Sequence, residues 1–306
     1  MGRWPPETGG QTLELDAEVI SMRREPVVAG MFYPAEPERC EAELARLLDS
    51  ARRAVPEDRY FAGLVPHAGW TFSGPTAAKT FAALAASGTP DSLVILGAVH
   101  VWGVTRAALF PSGSWLTPLG PVQVDQALAE RIRAEGGGLI VDNARAHAEE
   151  HSIEVQLPFV RYLFPQAAIV PLMVPPSQDA AAVGEAVARA VRPRGGAVYI
   201  LGSSDLTHYG PRYGFAPRGI GPGALTWAHE SDRRLLEEVV QMRADAALER
   251  ALEDRSACGG GAIAALVAAA RSLGATKGVI LEQTTSHDVH PMGAPSDFVG
   301  YAAVVF

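Results

Sequence analysis

The sequence contains few cysteines and no long apolar segment. Its 306 residues include only Cys40 and Cys258, whereas a secreted domain built on disulfides needs more cysteines and a signal peptide. The N-terminal stretch contains no apolar core of a signal peptide, and the apolar run at 167–176 is broken by prolines. These absences predict a protein of the reducing cytoplasm with no membrane association.

Basic charge and aromatic side chains are also scarce. The chain has 26 Lys and Arg against 34 Asp and Glu, a net charge of −8, and only 7% of its residues are aromatic. This balance provides no basic surface for nucleic acid. The hydrophobic share of 48% is ordinary for a globular protein, and the length suffices for one large α/β domain.

The order of apolar segments predicts the domain organisation. We predict a flexible N-terminal arm over 1–22 and a single domain over 23–306, because structured sequence begins near Arg24 and no long linker follows. Predicted strands lie at 61–65, 93–97, 106–110, 168–173, 197–202, 278–284 and 298–305. Predicted helices lie at 34–53, 73–87, 124–135, 152–163, 177–191, 225–239, 244–253 and 259–273. This alternation favours an α/β fold, a layered sheet with flanking helices.

Histidines follow three of the predicted buried strands. His67 and His100 come after the first two, and Asp205 and His208 follow the strand at 197–202. Ligand sites in open α/β sheets form at the carboxyl ends of strands, so these loops are expected to be neighbours. The alternative is that these residues have structural roles. A histidine after a strand often fixes its loop by hydrogen bonding, and Asp205 would cap a turn.

The two cysteines have different surroundings. Cys40 shares an apolar stripe with Leu44, Leu47 and Leu48 on the first helix, which predicts core packing. Cys258 precedes a run of glycines at the start of a helix, where the thiol pKa is lowered, so it would serve as a metal ligand or nucleophile. The alternative for Cys258 is a small buried hydrophobic residue.

The segment 147–156 is rich in charged and polar residues. It places His151 at the start of a predicted helix, with His147 four residues earlier, but it lacks the zincin pattern in which Glu follows the first histidine. The alternative is a helix cap with solvated acidic residues. His229 is predicted to be structural, and His287 and His290 follow another strand and would line the same pocket.

Five motifs in order resemble the MEMO family. They are Arg-Glu-Pro-Val-Val-Ala-Gly-Met-Phe-Tyr-Pro (24–34), Pro-His-Ala-Gly-Trp (66–70), Glu-His-Ser-Ile-Glu-Val-Gln-Leu-Pro-Phe (150–159), Ser-Ser-Asp-Leu-Thr-His-Tyr-Gly (203–210) and the Cys258-Gly step. Within that family the chain is similar to the B proteins of AmmeMemoRadiSam systems. The resemblance implies a fold like that of the class III extradiol dioxygenases (LigB-like), a mixed sheet with helices on both faces.

The resemblance also implies a division of roles. His67, His100 and Cys258 would be the metal ligands, and His208 would be the general acid or base with Asp205 orienting it. His151 would lie close by as a hydrogen-bond donor. The family implies a small-molecule or peptide ligand, and radical-SAM and AMMECR1-like proteins as partners.

Two features depart from a working dioxygenase. The loop before His100 is Gly-Ala-Val-His, whereas the family usually has Gly-Pro-Ser/Asn-His, and Cys258 replaces the carboxylate of a dioxygenase, as it does throughout the family. A divalent metal is expected, iron first, with zinc or copper as alternatives. We predict a metal-dependent oxidoreductase; the alternatives are a metal- or peptide-binding protein without turnover and a zinc hydrolase.

Overall fold

The computed structural model describes residues 22–53, 55, 56 and 58–306. The predicted arm over 1–22 lies outside this part of the chain, apart from Met22. The described residues form nine α-helices: α1 (Pro37–Arg52), α2 (Trp70–Ser87), α3 (Gln126–Gly136), α4 (Leu157–Leu163), α5 (Ala180–Val191), α6 (Pro222–Val240), α7 (Ala244–Glu253), α8 (Gly260–Ser272) and α9 (Ser286–Val289).

Most of the strands belong to one mixed sheet. Within the same described ranges the strands are β1 (Arg23–Arg24), β2 (Ala62–Val65), β3 (Ser92–Gly97), β4 (Ala107–Leu109), β5 (Ser114–Thr117), β6 (Gly120–Gln123), β7 (Ile140–Asp142), β8 (Ala168–Met173), β9 (Val198–Ser203), β10 (His208–Tyr209), β11 (Val279–Thr285) and β12 (Phe298–Val305). The main sheet has the order β10-β12-β2-β9-β3-β8-β4-β7, with β11 also paired to β12. Its centre, β2-β9-β3-β8, is parallel, and β12 and β4 join it antiparallel.

Helices cover both faces of this sheet. Successive side chains of a strand point to opposite faces. In β3, Val94 and Leu96 therefore pack in the core with α5 and α8, whereas Leu93 and Ile95 pack in the core with α1 and α2. Central strands buried on both faces are apolar throughout, as expected for a parallel sheet between helices. The predicted fold class, a layered mixed sheet flanked by helices, is confirmed.

The first helix forms for the reasons that the sequence gives. Pro37 begins α1, where a missing backbone N–H is harmless, and Cys40, Leu44 and Leu48 form its fully buried stripe against α2. The prediction that Cys40 is a core residue is confirmed.

Several short elements differ from the prediction. The hairpin β5–β6 pairs with β1 in a separate three-stranded sheet, and β7 is an edge strand of three residues. None of these was predicted, because strands this short show no clear periodicity. The predicted helix over 152–163 begins instead as a 3-10 turn at Glu154–Gln156 and becomes α-helical at Leu157.

A buried ion pair fastens the start of the domain to the segment before α4. Arg24 pairs with Glu154 and also donates to the carbonyls of His147 (3.1 Å) and Glu150 (2.7 Å). Glu154 accepts further bonds from the backbone N–H groups of Val27 and Val28. Glu150 and Glu154 are both buried whereas Glu149 is exposed, so the alternative of solvated acidic residues holds for Glu149 alone.

No helix in the described ranges is both long enough and apolar enough to cross a membrane.

Candidate metal centre

The carboxyl ends of three parallel strands bring the predicted histidines together. β2 leads to His67, β3 to His100, and β9 to Asp205 and His208. The segment before α4 adds His151, because Gly97 at the end of β3 lets that segment approach: a Cβ there would lie 2.6 Å from Ile153. The donor atoms of His67, His100 and His151 lie within 4.8 Å of one another, a spacing at which one metal ion could be held.

The imidazole of His67 has a defined tautomer. Ser203 donates its hydroxyl proton to the carbonyl of Ser152 at 2.7 Å, so its oxygen must accept from Nδ1 of His67 at 3.1 Å. Nδ1 therefore carries a proton, and Nε2 faces the Sγ of Cys258 at 3.2 Å. Gln156 donates to the same serine oxygen and fixes its position.

His100 is oriented by a buried carboxylate. Nδ1 of His100 lies 3.0 Å from Glu150 Oε1, and the backbone N–H of His100 donates to Oε2 at 2.6 Å. Burial raises the pKa of Glu150, but His100 outweighs this effect and holds it well below its usual range. Burial alone would lower the pKa of His100. Its interactions with Cys258 and Glu150 outweigh burial and raise the pKa to about 10.

His151 lies closer to the centre than predicted. Its ring stacks on His100 with centroids 4.8 Å apart, and it faces His67 edge-on at 5.5 Å. Burial and the two neighbouring histidines lower the pKa of His151 to about 4. The structure thus places His151 among the groups that can hold a metal, whereas the sequence suggested a supporting donor.

Cys258 lies beside the histidines at the start of α8. Gly259 allows this approach, because a Cβ at that position would lie 2.8 Å from Ser204. Burial raises the pKa of the Cys258 thiol, but His67 and His100 outweigh burial and lower it to about 5. The sulfur is therefore a thiolate at neutral pH, as predicted for a residue in this position.

This thiolate can be titrated in metal-free protein. Thiolate ultraviolet absorbance should be present at neutral pH and disappear as the pH falls through about 5, since the pKa of Cys258 is lowered. Cys40 should not contribute, because burial raises its pKa to about 12. A Cys258→Ala variant should show no such transition. A wild-type midpoint near that of a free thiol would contradict the predicted ion pair between Cys258 and the histidines.

Asp205 and His208 do not form the predicted pair. Asp205 Oδ1 accepts from the backbone N–H groups of His67 (2.7 Å) and Ala68 (3.2 Å), which fixes the loop that carries His67. Nδ1 of His208 lies 3.1 Å from the carbonyl of Leu206, and a carbonyl only accepts, so this contact orients His208. Nε2 of His208 is then free to accept a proton.

These groups line one open cavity of about 530 Å³. His67, His100 and His151 lie on its lining together with Asp205 and His208. Its other residues are Phe32, Ala68, Gly69, Phe72, Arg212, Tyr213, Ser286, His287, His290, Met292, Ala294, Ser296, Asp297, Val299 and Tyr301. The prediction that His287 and His290 line the same pocket is confirmed.

The remaining candidates lie away from the cluster. His229 contacts Asp288 at 3.0 Å and does not line the cavity, in keeping with a structural role. Of the aromatic residues near the histidine loops, Trp70 and Tyr209 are buried packing residues, whereas Trp102 is fully exposed.

The donor set fits a divalent metal ion. His67 and His100 each have Nδ1 committed to a hydrogen bond, which leaves Nε2 as the ligand atom, the usual arrangement of metal-bound histidines. Ser203 and Glu150 provide these bonds, and sequence reasoning assigned neither of them this role. The position of Glu150 directly before His151 was the one available signal.

Comparisons with known proteins find similar sequences along nearly the whole chain. The family model described as Memo-like protein matches residues 24–305. A MEMO1 family protein of Methanopyrus kandleri is 37% identical over 302 residues, covering 93% of this chain and 99% of that protein. Another, from Thermococcus onnurineus, is 37% identical over 293 residues with the same coverage.

One solved structure is similar in fold. The crystal structure of an uncharacterized protein from Escherichia coli K12 superposes with a TM-score of 0.51 at 15% identity. The match covers 81% of this chain and 100% of that one.

Proposed function

Because the chain belongs to the Memo family, we propose that its histidine cluster holds one divalent metal ion and that the protein is a metal-dependent oxidoreductase. Iron is the first candidate, and zinc and copper are the alternatives. The proposed ligands are His67, His100 and Cys258.

One observation carries the proposal: two hydrogen bonds to the Nδ1 atoms aim two imidazoles at one thiolate. Ser203 binds Nδ1 of His67 and Glu150 binds Nδ1 of His100. The same two rings lower the pKa of the Cys258 thiol, which favours the thiolate form. Orienting three side chains in this way has a desolvation cost, and a bound metal ion would offset that cost by taking up the lone pairs.

The chain's own residues divide the remaining work. A metal bound by three protein ligands would offer open positions for a substrate and a centre for electron transfer. His208, with Nε2 free, would accept or donate a proton on the opposite wall of the cavity. His151, neutral at neutral pH, would accept a proton beside the ligands, and Asp205 would hold the His67 loop in place.

A second candidate is metal or peptide binding without turnover. A thiolate in place of the dioxygenase carboxylate favours this function over ring cleavage. The lining of the cavity also includes the apolar residues Phe32, Phe72 and Met292. Because Met292 is exposed, it would contact the part of a peptide that extends beyond the cavity. A third candidate, zinc-dependent hydrolysis, would need a free carboxylate base, and the Oδ1 of Asp205 is already committed to two backbone N–H groups.

Metal content and oxygen uptake separate these candidates. Protein purified without oxygen should contain about one redox-active metal per chain and consume dioxygen when a catechol is added. Bound metal without oxygen uptake would favour the binding function, and tightly bound zinc with hydrolysis of a test ester would favour the hydrolase. Protein that takes up no metal would contradict the oxidoreductase and the hydrolase and would leave peptide binding alone.

Glu150→Gln should weaken metal binding by about 10- to 100-fold, because the amide no longer offers His100 a carboxylate. Competition with a coloured chelator measures the affinity. Glu149→Gln is the matched control, since Glu149 is the neighbouring acidic residue but is exposed. Equal affinities in the two variants would show that Glu150 does not position a ligand.

A further inference from the structure

A second cavity reaches the metal centre from another side. Its volume is about 340 Å³, and Cys258 lies on its lining, whereas Cys258 is absent from the lining of the large cavity. His208 and Tyr213 line both cavities, and their rings meet edge-on with centroids 5.1 Å apart. The two side chains thus separate the cavities, and Cys258 joins the second cavity to the cluster, since its Sγ lies 3.2 Å from Nε2 of His67.

The second cavity differs from the first in chemistry. Four of its side chains are apolar, those of Leu206, Ala251, Leu252 and Ala257. The large cavity is instead lined by several histidines with Arg212, Asp205 and Asp297. The large cavity therefore suits a polar organic ligand, and the second suits a small molecule with little need of hydrogen bonds.

The lining of the second cavity narrows the class of small molecules that it suits. Arg255 lines the cavity with its guanidinium over the ring of Phe215, 4.5 Å from the ring centroid, and it is exposed. A cation there disfavours positively charged molecules. The four apolar side chains offer no hydrogen bonds to a charged molecule of either sign, so an uncharged molecule meets the lowest barrier.

We propose that this second cavity is a separate access route by which a small uncharged molecule, dioxygen in the redox reaction, reaches the metal centre beside Cys258. The proposal rests on the proposed oxidoreductase function for the identity of the molecule, but the route itself rests on the two cavity linings. A polar substrate would occupy the large cavity, and its presence would not block the second reactant. His208 and Tyr213 would keep the two routes apart.

Alkylation of metal-free protein by iodoacetamide tests the route, because this reagent is small and uncharged and attacks a thiolate. Two variants would each fill the second cavity: Ala257→Leu, at a partly exposed position, and Leu252→Trp, at an exposed one. Met292→Trp, also at an exposed position, narrows the large cavity and is the matched control. Peptide mass spectrometry follows the modification of Cys258, and an unmodified Cys40 reports an intact core.

The two filling variants should slow alkylation by at least about tenfold, a barrier increase of about 1.4 kcal/mol, whereas Met292→Trp should change it less than about twofold. The opposite pattern, with Met292→Trp slow and the filling variants fast, would overturn the proposal. Leu252→Trp keeps the test valid if Ala257→Leu fails to fold.

Oxidation of ferrous-loaded protein by dissolved dioxygen is the second measurement. The filling variants should slow it and Met292→Trp should not. Equal oxidation rates in all variants would overturn dioxygen as the molecule that uses the route. Failure of every variant and of wild type to retain iron would count against the metal proposal, and the alkylation result would then decide the access route alone.

Discussion

Replacing Glu154 by Ala should lower the free energy of unfolding by about 3–5 kcal/mol, because it leaves the Arg24 charge buried without its partner. Arg24 is only 4% exposed and Glu154 only 1%. The same change removes the acceptor of two backbone N–H groups and of the Tyr33 hydroxyl at 2.8 Å. Urea unfolding followed by circular dichroism measures the loss.

Glu135→Ala is the matched control for this prediction. Glu135 pairs with Arg189 at 2.9 Å, but both side chains are about half exposed, so its removal should cost less than about 1 kcal/mol. Glu154→Gln keeps the shape and should fall between the two. A loss for Glu154→Ala as small as that for Glu135→Ala would show that the buried pair contributes little.

Cys258→Ala should lower metal affinity by more than about tenfold, since it removes one of three ligands and the only charged one. The affinity can be measured by chelator competition under anaerobic conditions. Cys40→Ala is the matched control, because it removes the other thiol from the core, far from the cluster. His208→Ala should also leave the affinity largely unchanged, because His208 is not one of the proposed ligands.

The same experiment separates two ligand sets. The structure also groups His67 and His100 with His151, which would give three imidazoles instead of two and a thiolate. If His151→Ala loses the metal while Cys258→Ala keeps it, the three histidines are the ligands. Loss in Cys258→Ala alone would support the thiolate set, with His151 left for proton transfer.

The central strands of the fold could be predicted because their burial appears directly in the sequence. β2, β3, β8 and β9 are apolar on both faces, so short unbroken runs of Val, Leu and Ile mark them. The hairpin β5–β6 carries Pro121 and an exposed position in Gln123, and it looks like a loop until its pairing with β1 is known. Such short strands form only when they pair with strands distant in sequence, and a local sequence pattern does not reveal those partners.

The candidate site could be predicted at the level of residues but not of contacts. His67, His100 and Cys258 follow strand ends or precede a helix, positions that point to a site by themselves. The contacts of Asp205 and His208 depend on side-chain direction, which spacing does not fix: Asp205 turns to the His67 loop and His208 to Leu206. Glu150 was missed as a positioning residue because adjacent acidic residues are usually solvated, whereas here the fold buries one of the two.

The separation of His67 and Cys258 along the chain sets the order in which the centre is assembled during synthesis. They are 191 residues apart, and Cys258 is the last of the proposed ligands to leave the ribosome. The two histidines can meet once β2 and β3 have paired with β9, and Arg24 can bury its charge only after Glu154 has emerged. A metal ion captured before Cys258 has emerged would meet two imidazoles without the thiolate and would leave easily. With the proposed ligand set, secure metal loading would therefore belong to the completed chain, and the thiolate would be the ligand that retains the ion.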